Sequence, residues 1–275
     1  MTHEADLQEY KKIILNVLIK VDRICRANNL RYSLFYGTLL GAIRHHGFIP
    51  WDDDIDIIMP IEDYDKLANI ISECDYGLNF IRPEENEDTC FPFGKVCDTS
   101  TRIIEGNLGQ IEGYGAYIDI FPFFKIPPEK KWSRTAKWST PRRFASYAKL
   151  KKIRKTTSLI TNVGRTVEFI ITRMMNPRKL ALIPMRDGRK ANTFVNENKT
   201  DYLYGVLFHA SRFPKEIFDN QVEADFEGYP MMCTNNPDQN LTIFFGDYMK
   251  LPPEEQRVSH HNIICYVDDD AKLKL

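Results

Sequence analysis

Residues 52–59 read Asp-Asp-Asp-Ile-Asp-Ile-Ile-Met, and few folds can accommodate such a run. In a β-strand, residues two apart share a face. Asp52, Asp54 and Asp56 would then project to one side, and Asp53, Ile55 and Ile57 to the other. The aliphatics call for a buried strand, whereas three crowded carboxylates repel one another and gain little from packing. A solvated acidic turn after Pro50 would also tolerate the acids, as charge runs commonly do. The regular exchange with isoleucine instead predicts a core strand that presents its acids to a hard divalent cation. Mg²⁺ or Mn²⁺ takes oxygen ligands and leaves room in its shell for a substrate phosphate.

Around this run the chain alternates helices with strands. Residues 5–29 carry Leu7, Tyr10, Ile14, Val17, Leu18, Val21 and Ile24 at three-and-four spacing, which predicts an amphipathic helix with Lys11, Lys12, Lys20 and Arg23 pointing outward. Asn28 and Asn29 end it. Residues 32–36 read as a short strand, and Gly37-Thr38 opens a helical piece over 39–44. Pro60 closes the acidic strand, and 62–74 reads as a further helix. Strands follow within 90–124, punctuated by Gly and Pro. The pattern predicts a mixed α/β (α+β) fold.

Charge is distributed unevenly. The 275 residues hold 37 Lys plus Arg against 38 Asp plus Glu, yet residues 125–190 alone carry 19 basic residues and 3 acids. That segment stands at +16 and the remainder at −17. It has few glycines and predicts a helix over 133–175 interrupted only by Pro141. The expected organisation is a core over 1–124, a basic and mainly helical insertion over 125–191, and a C-terminal part over 192–275 that completes the core. A basic run can simply be solvated. The stretch 149–155, however, mixes Lys and Arg with Leu and Ile as an interfacial helix does, and predicts peripheral contact with an anionic membrane face. No recognition motif accompanies the charge, so no nucleic-acid partner is expected.

Six cysteines lie scattered without metal-type spacing, as reduced thiols of a cytoplasmic protein would. The first twelve residues are polar and acidic rather than basic and then apolar, unlike a signal peptide. The longest apolar stretches fall far short of the roughly 20 residues of a membrane span.

Gly37-Thr38, between strand and helix, could hold a phosphate with backbone N–H groups and a hydroxyl, although many such dipeptides are ordinary caps. Asp119 alternates with Ile118 and Ile120 and is either a third site carboxylate or a strand-end acid. A Gly-Thr turn, an Asp-x-Asp strand and a third acid together outline a nucleotidyltransferase-type site. Arg44 and Lys95 could meet a diphosphate, or be ordinary surface cations. His45 and His46 flank the acids, and Arg257, His260 and His261 close the chain's last motif; each could bind phosphate or carry a proton, or be satisfied by a nearby carbonyl. Trp51, Tyr114, Tyr117, Trp132 and Trp138 are available for a cation, but spacing assembles no cage from them.

GTLLGAIRHHGFIPWDDDIDI, over residues 37–57, resembles the signature of the LicD family of phosphotransferases. The likeness continues through MPIEDYDKL, FGKVCDTSTRIIE and YIDIFPFF, and resumes at DFEGYPMMCTNN and FFGDYMKLPPEEQRVSHH. It skips the basic segment. The resemblance implies a nucleotidyltransferase-like mixed sheet flanked by helices, with metal-dependent attack on a nucleotide-activated phosphodiester. Asp54, Asp56 and Asp119 would be catalytic, with Asp52 added to the metal set. Gly37, Thr38, Arg44, Lys95, His45 and His260 would bind substrate. It implies a CDP-activated alcohol, CDP-choline first, as donor and a lipid-linked glycan precursor as acceptor. Ribitol or glycerol phosphate donors, or a non-catalytic binding module on the same fold, are the alternatives. Eukaryotic relatives such as fukutin carry a membrane anchor and a cysteine-rich metal site that this sequence lacks, which points to a bacterial cytosolic branch.

Overall fold

Strand β1 (Thr2–Glu4) leads into helix α1 (Leu7–Ala27), whose N-cap Asp6 accepts a hydrogen bond from the Glu9 amide at 2.8 Å. A computed structural model describes residues 2–105, 113–128, 135–150, 158–206, 212–258 and 263–268. The expected stripe of α1 is buried from Tyr10 to Ile24. Lys11 corrects the sequence reading. It is only 7% exposed, because it falls in line with Ile14, Leu18 and Val21. Its Nζ donates to the carbonyls of Ile49 and Pro50 at 3.5 and 3.3 Å and lies 5.0 Å from the Phe48 ring centre. The lysine ties α1 to the loop that delivers the acids.

There follow β2 (Ser33–Leu34), α2 (Tyr36–His45), β3 (Asp56–Pro60), α3 (Ile61–Glu73), β4 (Leu78–Ile81), β5 (Gly94–Asp98), β6 (Thr101–Glu105) and β7 (Tyr117–Ile126). The main sheet runs β2-β3-β7-β5-β4, with β3 and β7 parallel and the other pairs antiparallel. This parallel pair is covered on both sides, so its residues read as a nearly unbroken apolar run; Ile57, Ile58, Met59, Ile118 and Ile120 are all fully buried. The strand expected over 52–59 starts only at Asp56. Its partner β2 is two residues long, and the Asp52 amide turns back to the Ile49 carbonyl at 2.9 Å. Residues 52–55 are therefore a loop feeding the strand.

The basic insertion forms α4 (Thr135–Lys149) and α5 (Leu159–Thr172), two helices where one was expected over 133–175, followed by α6 (Pro177–Asn198). Residues 151–157 lie outside the described residues, and Pro141 sits inside α4 without ending it. Helix α6 packs on α4 and on β7. Strand β8 (Leu203–Val206) pairs with the second half of β7, and β9 (Arg212–Pro214) with β8. A hairpin, β10 (Val222–Phe226) and β11 (Tyr229–Cys233), precedes α7 (Pro237–Phe245). Strand β12 (Ile263–Asp268) lies between β1 and β6 in a small antiparallel sheet. The result is a mixed α/β architecture with a curled central sheet.

Candidate active site

Parallel pairing of β3 with β7 sets Asp56 directly opposite Asp119, and the Asp119 amide donates to the Ile55 carbonyl at 2.8 Å. A cavity of about 890 Å³ opens over this point. Asp52, Asp54, Asp56 and Asp119 all line it, with Gly37 and Arg44 from α2 and Lys95 from β5. Asp53 does not. It is buried, and its charge acts on Tyr10 and Lys11 of α1. The alternation read from the sequence thus persists through residues 52–56, although only the last of them belongs to the strand.

Burial, and then the charges of Asp54, Asp119 and Asp52, push the Asp56 carboxyl well above the usual carboxylate range, against the pull of Lys95. The Lys95 ammonium donates to Asp119 Oδ1 at 2.6 Å. It also lies 3.6 Å from the Tyr117 ring centre, 4.9 Å from Phe91 and 5.4 Å from Phe93, a set of faces that favours a cation. Among the described residues no three His, Cys, Asp or Glu close into a ready-made metal cage. The acids form an open wall instead. Such a wall suits a hard cation that keeps water and takes the rest of its shell from substrate phosphate, and a buried carboxyl with three like neighbours is a group such a cation would neutralise.

The start of α2 braces this wall. Tyr36 adopts φ +39°, a sparsely populated conformation for a bulky residue, and turns the chain into the helix at the cavity edge. The Thr38 hydroxyl oxygen accepts from the Asp56 amide at 2.8 Å. Thr38 is buried beneath the lining and fixes where β3 begins. Gly37 is needed for space: a Cβ there would stand 2.6 Å from Asp52 Oδ2. Gly41, one turn on, passes equally close to the Gly47 carbonyl. Gly37→Ala is therefore expected to swing the Asp52 carboxylate away and lower turnover by about 10–100-fold. Its thermal midpoint should barely change, since the roughly 1 kcal/mol by which alanine favours a helix offsets the cost of displacing Asp52. Turnover and melting of the purified variant check both halves.

Arg44 reaches the cavity held by two bonds, Nη1 to the Tyr248 carbonyl at 2.6 Å and Nε to His45 Nε2 at 3.0 Å. Burial and the Arg44 charge push the His45 imidazole below its ordinary value, in keeping with its role as acceptor. His45 does not itself line the cavity. The loop between α2 and the acids is clamped from far along the chain: Glu227 Oε1 accepts from the Phe48 amide at 2.9 Å, and the Glu227 amide donates to the His46 carbonyl at 3.0 Å. Trp51 lines the cavity, with the Arg257 guanidinium 5.6 Å from its ring. Tyr114 is buried in the core. His260, His261 and Trp132 lie outside the described residues, as does the side chain of Trp138.

Sequence reasoning missed Arg142 and Ser146 of α4, and Tyr248 and Lys250 after α7, all of which line the same cavity. Nothing in the basic segment distinguishes Arg142 from its neighbours. Only the packing of α4 on α6 and against Cys90 and Phe91 selects it.

Residues 29–156 match the family described as LicD/FKTN/FKRP, nucleotidyltransferase domain. That span contains every acid of the wall, Lys95 and Arg142, and stops well short of α7. Along 270 residues, 95% of this chain and 98% of the relative, the sequence is 29% identical to the lipopolysaccharide cholinephosphotransferase LicD of Haemophilus influenzae. An uncharacterised protein of Rickettsia typhi is 45% identical over 68 residues, 24% of this chain and 22% of that one. Mannosyltransferase regulator 4 of Saccharomyces cerevisiae is 27% identical over 115 residues, 42% of this chain and 9% of the yeast protein.

Proposed function

We propose that this chain, which carries a LicD-family nucleotidyltransferase domain, transfers phosphocholine from CDP-choline to a sugar hydroxyl of a lipid-linked cell-surface glycan precursor, lipopolysaccharide or teichoic acid, and releases CMP. One observation carries the reading: Asp52, Asp54, Asp56, Asp119 and Asp247, five carboxylates, line a single cavity with the cations Arg44, Lys95, Arg142 and Lys250. That combination serves a diphosphate and the metal that accompanies it. The likeness to a lipopolysaccharide cholinephosphotransferase over nearly its whole length supports it further.

In this reading Asp54 and Asp56 hold Mg²⁺ or Mn²⁺, with Asp52 and Asp119 beside them. The ion, when bound, neutralises the charge that builds on the transferring phosphoryl group. The chain's own residues do the rest. Arg44 and Arg142 take diphosphate oxygens in forked hydrogen bonds, and the start of α2 at Gly37 offers backbone N–H groups. Thr38 keeps Asp56 in place. The acceptor oxygen bonds to the distal phosphorus while the bond from that phosphorus to the CMP oxygen breaks. The hydroxyl proton passes to an Asp119 carboxylate oxygen, and CMP leaves with the negative charge beside the arginines. Trp51, Phe245 and Tyr248 line the same cavity and provide faces for a quaternary ammonium. Among the described residues no helix is long and apolar enough to cross a membrane. The nucleotide donor and lipid-linked acceptor of this reading call for a cytoplasmic enzyme at the inner face of the membrane.

The second reading is transfer of ribitol or glycerol phosphate, which the same phosphate chemistry would permit. The aromatic lining favours choline over a polyol. Release of CMP from CDP-choline, CDP-ribitol and CDP-glycerol, measured in parallel with and without EDTA, tests the assignment. CDP-choline is expected to turn over at least about 10-fold faster than the others and to stop in EDTA. A faster polyol donor would overturn the headgroup, and turnover surviving EDTA would overturn the metal. Nucleotide binding without any turnover would leave a binding module.

A further inference from the structure

Helix α5 packs on α4 and turns a hydrophobic stripe outward. Val163, Val167, Ile170 and Ile171 recur on one helical face, and Met174 extends it just past the helix end. They are 65%, 49%, 60%, 51% and 91% exposed. Single exposed apolar residues are ordinary on a soluble surface, but an aligned set of five is a docking face. By sequence, the segment that carries the stripe is strongly basic. Residues 135–175 hold ten Lys plus Arg and one acid, Glu168, and that acid is bridged to Arg143 at 2.8 Å.

We propose that α5 lies in the interface of an anionic lipid bilayer, with this stripe at the acyl boundary and Arg165 and Arg173, on the helix and at its C-terminal end, among the headgroups. Charge complementarity selects the occupant. A second copy of the chain, meeting the same patch across a two-fold axis, would set one basic segment against another. A neutral apolar partner would leave the basic residues unused, whereas an anionic leaflet uses both halves of the surface. The position of α5 gives the docking a consequence. Helix α4, directly beneath it, contributes Arg142 and Ser146 to the cavity, so a seated α5 holds the cavity one helix layer, about 10 Å, from the lipid. The surface is independent of the reaction assigned to that cavity.

Co-sedimentation of the full chain with vesicles tests the idea, with phosphatidylglycerol mixed into phosphatidylcholine on one side and phosphatidylcholine alone on the other. Binding should be at least about 10-fold tighter to the anionic vesicles and should weaken as salt shortens the Debye length below about 8 Å. Val167→Glu with Ile170→Glu should cost about 100-fold in binding. Both positions are exposed, so melting and CMP release from a soluble donor should stay as in the wild type. Replacing Lys149, Lys151, Lys152, Arg154 and Lys155 by glutamine tests the charge separately and should abolish the preference for anionic vesicles. Equal binding to both vesicle types, or none to either, would overturn the proposal. So would a dimer in sedimentation velocity that the double glutamate variant dissociates while its vesicle binding persists.

Discussion

Asp56→Asn is expected to lower transfer by about 10³-fold or more and yet raise the temperature at which the protein unfolds. Asparagine keeps the shape of the side chain, and the Asp56 amide bond to Thr38 does not depend on the side chain. What it removes is a charge that burial, and then Asp54, Asp119 and Asp52, make unfavourable. A carboxyl held above its unfolded value binds more protons in the native state, so stability falls as pH climbs from about 4 through the folded value. The penalty is largest once pH exceeds the folded value and vanishes in acid. The substitution should therefore add about 1 kcal/mol near neutrality, or about 2–4 °C, and the gain should shrink toward zero near pH 4. Melting across that range, with and without MgCl₂, checks it. Mg²⁺ should raise the wild-type midpoint and leave the variant's unmoved. A variant that melts lower at pH 7 would make Asp56 a structural residue instead.

Lys95→Met carries the largest expected cost in stability. Lys95 is 3% exposed and bonded to Asp119 at 2.6 Å, and methionine fits among the rings of Phe91, Phe93 and Tyr117 while leaving the largely covered Asp119 carboxylate without its cation. Breaking one side of such a pair costs about 3–5 kcal/mol. Adding Asp119→Asn removes the stranded charge and should recover most of that loss, because the two sites form one unit. Neither variant should recover transfer. Urea midpoints of the two single variants and the double variant complete the cycle. Additive effects would show that the pair is not coupled.

The cavity acids were legible because their spacing is a property of the local chain. Asp52, Asp54 and Asp56 alternate with buried residues whether they lie in a loop or a strand, and Asp119 is fixed by the isoleucines on either side. The start of β3 was not legible, since it depends on the length of β2, an element elsewhere. Lys11 misled for a different reason. Its position lies in phase with Ile14, Leu18 and Val21, and a strict reading of the period would have placed it inside; its charge argued otherwise, and carbonyls 38 and 39 residues away resolved the conflict. Arg142 and Tyr248 reach the cavity only through tertiary packing. No local pattern marks them. The break between α4 and α5 was equally hidden, because helical composition continues across it.

The grip of Glu227 on residues 46–48 gives assembly of the site an order in time. About 180 residues separate the two partners, and a growing chain emerges at roughly 5–20 residues per second. The loop that aims the acids therefore waits about 10–40 s for its anchor during synthesis. Contacts of such long sequence separation also form late in refolding. A nascent or truncated chain that stops at residue 156 would contain Asp52, Asp54, Asp56 and Asp119 and still lack the hairpin turn that sets their approach. The span that matches the LicD/FKTN/FKRP domain is thus a part of the working unit, and the last third of the chain both anchors the acid loop and adds Phe245, Asp247, Tyr248 and Lys250 to the cavity.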